Sequence, residues 1–178
     1  NEAHTLSTCL NVFETFQPEL PESYRDSEYV FLANGSPATQ SSVLDQMRAP
    51  KFTMLDTMDL WIDIFRDELL ALIKRVDGII INDAEAKMLS GEGNLIKAAK
   101  AVLEMGPTTV IVKKGEHGVL MVTPDDFFAI PAYPCEIVKD PTGAGDTFAG
   151  GVMGYLSGAG KTDAATMRAA LAHGTALA

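Results

Sequence analysis

Residues 140–151 read DPTGAGDTFAGG, a run of twelve in which Gly143, Gly145, Gly150 and Gly151 stand with Asp140 and Asp146. Glycine lets backbone N–H groups approach a ligand that any Cβ would hold off, and amides that open a helix form an anion site. Gly143, Ala144 and Gly145 precede a stretch compatible with a helix over 147–156, so their amides are expected to form an anion hole. Asp146, set among those amides, suggests chemistry as well as binding.

Two familiar phosphate motifs compete for the glycines and neither fits. Gly160-Lys161-Thr162 supplies the end of G-x-x-x-x-G-K-[ST], but Tyr155 occupies the place of the first glycine and the segment follows an expected helix rather than a strand. It reads instead as a helix end, a turn and a new helix capped by Thr162. Gly143, Gly145 and Gly150 only partly echo G-x-G-x-x-G, with the last glycine displaced and no acidic residue at the end of a following strand.

The elements that must carry this loop follow from hydrophobic patterning. The runs EYVFLA (28–33), FTML (52–55), GIII (78–81) and TVIV (109–112) are almost free of charge, as strands covered on both faces are. Between them Ile62, Phe65, Leu69, Leu72, Ile73 and Val76 recur at helical spacing, as do Leu95, Ala98, Ala99, Val102 and Leu103. Pro37 opens another helix running to about Met47, and Gly106-Pro107 stops the one that begins near Asn94. This alternation predicts an α/β fold: an open, mostly parallel sheet with helices on both faces. After Val112, the turn GEHG (115–118) and the runs GVLMV and FFAIPAY predict antiparallel or edge strands.

Composition limits the function classes. The chain has 178 residues, 47% of them hydrophobic and 21% charged, enough for one domain with a sizeable core. A net charge of -10 disfavours a nucleic-acid or anionic-membrane partner. No apolar run approaches the roughly 20 residues that span a bilayer, and no basic, then apolar, leader opens the chain. A cytoplasmic location is expected. Cys9 and Cys135 are too far apart in sequence for a paired motif and are expected to be buried, reduced thiols, while His4, His117 and His173 lack metal-ligand spacing. No G-x-S-x-G elbow is present.

DPTGAGDTFAGG resembles the C-terminal signature of the ribokinase-like (PfkB) carbohydrate and nucleoside kinases, and the resemblance extends in matching order through nearly the whole chain. Asn82-Asp83-Ala84-Glu85 matches the family's N-x-x-E motif, VKKGEHG (112–118) resembles its nucleotide-side turn, and LDTMDLWI (55–62) sits where the family has a strand, an aspartate and the start of a helix. The resemblance implies an ATP-dependent phosphotransferase. In it Asp146 is the general base that takes a proton from a substrate hydroxymethyl group as that group attacks the γ-phosphate. Gly143, Ala144 and Gly145 stabilise phosphate charge. Asn82 and Glu85, one helical turn apart, serve Mg²⁺, the glutamate through water; alone, the same pair reads as a helix cap. Lys113, or its neighbour Lys114, meets an ATP phosphate beside Gly115 and Gly118. Asp140 and Thr142 lie where some relatives bind a monovalent cation such as K⁺, although Pro141 replaces the frequent threonine.

Measured against that family, residues 1–27 are expected to be the return from a substrate lid, with 6–16 its clearest part, and 28–178 the nucleotide-binding core. The N- and C-terminal parts of the domain are expected to be missing, so that the chain alone would not turn over substrate. The acceptor is expected to be a small sugar; a nucleoside or vitamin precursor is the alternative, and a non-catalytic module of the same fold a third. A homodimer through the lid is the assembly the resemblance allows in the full-length protein.

Overall fold

The computed structural model describes residues 10–178. His4, Cys9 and the start of the expected lid return lie outside the described residues. Residues 10–27 of that segment carry two 3-10 turns, Asn11–Glu14 and Glu22–Tyr24, joined by irregular chain. Gln46 ties this segment down: its side-chain amide donates to the Pro18 carbonyl and accepts from the Leu20 amide, both at 2.8 Å.

Among the described residues six strands form one sheet in simple sequential order: β1 (Tyr29–Leu32), β2 (Phe52–Asp56), β3 (Gly78–Asn82), β4 (Thr109–Lys113), β5 (Val119–Val122) and β6 (Phe127–Ile130). β1 to β4 pair in parallel, and β5 and β6 add antiparallel. The four charge-poor runs are therefore the parallel strands, and the segment after Val112 is the antiparallel edge. A period of 2 sends alternate residues of each strand to opposite faces. On one face Leu55, Ile79, Ile81, Val110 and Val112 pack against α1 (Pro37–Gln46), α2 (Asp59–Ile64), α3 (Arg66–Ile73), α4 (Asp83–Ser90) and α5 (Leu95–Glu104). On the other, Phe52, Met54, Ile80, Ile111 and Met121 pack against α6 (Ala144–Ala159) and α7 (Ala164–Leu177). Sequential strand order places the crossover helices on one face, so the other is covered by the two helices that follow the sheet. That requirement positions the glycine run: α6 must return from β6 to the sheet, with DPTG as its lead and Ala144, Gly145 and Asp146 in its first turn.

Three expectations are corrected. The helix expected across 62–76 is two, divided at Phe65 (φ −130°, ψ 41°), whose amide closes α2 on the Trp61 carbonyl and whose carbonyl opens α3. One non-helical residue hardly disturbs the i, i+3, i+4, i+7 spacing, so periodicity does not reveal the break. Cys135 is exposed rather than buried, on the irregular stretch between β6 and α6. The cap of α7 is Asp163, not Thr162: its carboxylate accepts from the Thr166 amide at 2.9 Å. Asp163→Ala is expected to give a small fall in thermal midpoint through loss of the cap, with Thr162→Ala near neutral.

Candidate active site at the carboxyl ends of the parallel strands

Ligands of open α/β sheets bind outside the carboxyl ends of the strands. Here β2 ends at Asp56, β3 at Asn82 and β4 at Lys113, and Asn82 and Lys113 are register partners. The first turn of α6 closes over them: Lys113 Nζ lies 3.2 Å from where a Cβ on Gly145 would stand. The structure thus brings Asn82, Lys113, Gly145 and Asp146 to one edge. Of the two neighbouring lysines, Lys113 is the one that meets the end of β2, its Nζ lying 3.7 Å from the Asp56 carboxylate.

α6 begins at Ala144, three residues before the helix expected over 147–156. Gly143 is the N-cap in the left-handed region, φ 83°, and contributes no side-chain cap. The Thr147 amide bonds to the Gly143 carbonyl and the Ala144 amide to the Pro141 carbonyl. Ala144 therefore spends its N–H on the turn, whereas Gly145 and Asp146 have no intramolecular acceptor for theirs among the described residues. Free amides in a helix's first turn carry its positive partial charge. Asp146 is the third residue of the helix rather than its cap, and its exposed carboxylate accepts no hydrogen bond from the described residues.

Asn82 and Glu85 form a reciprocal capping box at the start of α4. The Asn82 side-chain oxygen accepts from the Glu85 amide at 2.8 Å, and Glu85 Oε2 accepts from the Asn82 amide at 2.7 Å. The structural role is thus present, and it leaves Glu85 Oε1 with no partner among the described residues. Glu85 is buried, and burial pushes its pKa up to about 7 against the opposing pull of the Asn82 amide and of Lys113. An acid raised in the fold binds more protons folded than unfolded between pH 4.5 and about 7, so its ionisation destabilises the fold progressively over that interval. Glu85→Gln keeps an acceptor for the Asn82 amide. In metal-free buffer it is expected to gain on the order of 1–3 kcal/mol above pH 7, with the gain vanishing below pH 4.5, as thermal midpoints across that range would show.

The other expected residues are placed as follows. Gly115 (φ 55°) opens the turn between β4 and β5, and Gly118 closes it, its amide donating to the Gly115 carbonyl at 3.0 Å. Asp140 lies in the exposed lead into α6, where hydrogen bonds from the Thr142 side chain and amide hold its pKa below the usual range. Among the described residues no group of three or more His, Cys, Asp or Glu is placed to hold a metal ion. Sequence reasoning missed Asp56 as an individual residue, though the run that contains it was singled out. It also missed an apolar cleft of about 420 Å³ at the end of β1, walled by Phe16, Phe31 and Trp61, with Asn34, Ser36 and Thr39 on its rim. Asn34 accepts from the Trp61 indole N–H at 2.9 Å.

The pfkB family carbohydrate kinase model matches residues 24–178. Among curated proteins, the chain is 33% identical over 145 residues to a cytidine kinase of Thermococcus kodakarensis, covering 78% of this chain and 51% of that one. To an aminoimidazole riboside kinase of Salmonella typhimurium it is 32% identical, covering 62% and 35%. Among solved structures, the aminoimidazole riboside kinase of Salmonella enterica superposes with a TM-score of 0.72 at 25% identity, over 85% of this chain and 55% of that one. The ribokinase of Thermotoga maritima gives 0.66 at 28% identity, over 84% and 48%. The chain spans about half the length of these proteins or less. No helix of the described residues is long and apolar enough to cross a membrane. With the family model covering the whole sheet, the glycine turn and both closing helices, the chain belongs to the pfkB family of carbohydrate kinases.

Proposed function

We propose that this chain carries the nucleotide-side half of an ATP-dependent phosphotransferase that moves the γ-phosphate of ATP to a hydroxymethyl group of a small sugar, in the cytoplasm. The observation that carries this reading is Asp146: an exposed carboxylate in the first turn of α6 that, among the described residues, caps nothing and stands beside amides with no acceptor, above a half-buried lysine. A structural aspartate there would spend its oxygens on the helix end; this one keeps them for a ligand.

The chemistry follows from that placement. Asp146 takes the proton of the acceptor hydroxyl as its oxygen bonds to the γ-phosphorus and the bond from phosphorus to the bridging β–γ oxygen breaks, releasing ADP. The amides of Gly145 and Asp146, with Gly143 shaping the turn, meet the charge that develops on the transferred group. Lys113 approaches the phosphates from beneath, beside the Gly115 turn. Glu85 Oε1 and Asn82, at the mouth of β3, fit a water-mediated hold on Mg²⁺. Bound there, Mg²⁺ supplies charge neutralisation of the phosphate oxygens. Asp140 and Thr142, in the exposed lead into α6, are the expected ligands of a monovalent cation if one is used.

A nucleoside acceptor is the second reading, favoured by the aromatic walls of the cleft beside β1, which suit a base, and by the likeness to a cytidine kinase. The test offers ribose, fructose, cytidine and aminoimidazole riboside, each with Mg-ATP, to the full natural chain that carries this sequence. Stimulation of ADP release by free sugars supports the first reading and by ribosides alone the second. No stimulation by any acceptor that offers a hydroxymethyl group would contradict both.

A further inference from the structure

The geometry assigns Asp56 as a positioning residue: from the end of β2 it holds the ammonium of Lys113 beneath the first turn of α6, where a phosphate would lie. This rests on the phosphotransfer reading of the site. Asp56 is only 4% exposed, and among the described residues its carboxylate has two partners, the adjacent Thr57 amide at 2.9 Å and Lys113 Nζ at 3.7 Å. Its main chain is fixed independently, because the buried Gln40 side chain donates to the Asp56 carbonyl at 2.9 Å. Lys113 pairs with no other carboxylate among the described residues.

Stability alone gives a poor account of this pair. A buried ion pair is seldom more stabilising than an apolar pair of the same volume, because desolvation offsets the attraction. What the pair supplies is geometry. A lysine side chain is flexible and carries a compact charge, and holding it still costs rotamer entropy. Asp56 meets that cost before any ligand arrives. At 3.7 Å the contact is a tether rather than a tight hydrogen bond, so the ammonium's donors stay available to an anion above. The direction is fixed by the opposite wall, where Gly145 leaves room for the lysine head that a side chain would crowd. The charges around the pair are otherwise acidic: Glu85 of α4 interacts electrostatically with both Lys113 and Asp56, and Asp146 of α6 with Asp56. Left untethered, the lysine head would have Glu85 as a competing partner.

A double-mutant cycle in the full natural chain tests this. Asp56→Asn is expected to lower kcat about 10- to 100-fold, the scale of a misplaced group, with the acceptor KM unchanged. Lys113→Met should lose at least as much, and the double variant no more than Lys113→Met alone, because Asp56 acts through the lysine. Losses that multiply, or wild-type kcat in Asp56→Asn, would overturn the proposal. Thermal midpoints read the pairing without any turnover: Lys113→Met should lower the midpoint by stranding a buried carboxylate, and Asp56→Asn in that background should restore it. Absence of that restoration would equally overturn the pairing, whereas restoration in an enzyme that transfers no phosphate would fault the functional reading instead. Should Asp56→Asn alone not fold, Asp56→Glu decides, since it keeps the charge but moves it by one methylene: lower kcat is expected, and unchanged kcat would overturn the assignment.

Discussion

Asp146→Asn in the full natural chain is expected to lower turnover by on the order of 10²- to 10⁴-fold, the usual share of a general base, while ATP affinity changes little. Asparagine has nearly the same size and still accepts hydrogen bonds, but it cannot take the proton of the attacking hydroxyl. The phosphates would be met by the amides of Gly145 and Asp146 and by Lys113, none of which the substitution removes. A helix-capping role does not account for this aspartate, because Gly143 holds the N-cap position and, among the described residues, the Asp146 side chain accepts no backbone N–H. Loss of a negative charge in the first helical turn should cost no more than about 0.3–1 kcal/mol through the helix dipole. Turnover, ATP titration and thermal midpoint on one variant are the measurements. A variant that turns over normally removes Asp146 from the chemistry.

Gly118→Ala is expected to destabilise the fold by roughly 3 to 5 kcal/mol, from backbone strain together with a backbone clash. Gly118 sits at φ 83°, ψ −142°, a region that residues with a Cβ scarcely enter, and an added Cβ would lie 2.0 Å from the Ile130 carbonyl oxygen. That oxygen belongs to the end of β6, which pairs along its length with β5, so it cannot yield without breaking the edge of the sheet. A loss of this size is a large part of a typical domain's total stability. Chemical denaturation would measure it, and a midpoint within error of wild type would show that the turn can relax. Gly115, whose added Cβ would meet nothing within 4 Å, should give a smaller loss, set by its φ of 55° alone.

These two positions show what a sequence reveals of such a site. Asp146 and the glycines around it were legible because the helix terminus is local: spacing alone places amides and carboxylate together. The parallel strands were legible for a related reason, since runs such as GIII and TVIV have no polar side to offer water. The capping box of Asn82 and Glu85 was visible as a four-residue pattern. Asp56 was not readable in the same way. It meets Lys113 across an intervening strand, β3, and that meeting depends on the sequential order of the sheet. Gly118 could be read as a turn glycine, but its reason, the backbone of Ile130 and Pro131 passing behind it, is a contact between segments. The exposure of Cys135 escaped for lack of any periodicity between β6 and α6, and the aromatic cleft because Phe16, Phe31 and Trp61 converge from three separate segments.

The most direct test follows the phosphorus atom itself. ATP labelled in its γ-phosphate is incubated with Mg²⁺, the full natural chain and the acceptor that best stimulates ADP release, and the product is resolved by phosphorus NMR. The account predicts label in a phosphomonoester on the acceptor's hydroxymethyl carbon, in equal amount to the ADP formed, and its loss with Asp146→Asn. Label recovered only as inorganic phosphate, or a phosphomonoester formed as quickly by Asp146→Asn as by the wild type, would contradict it.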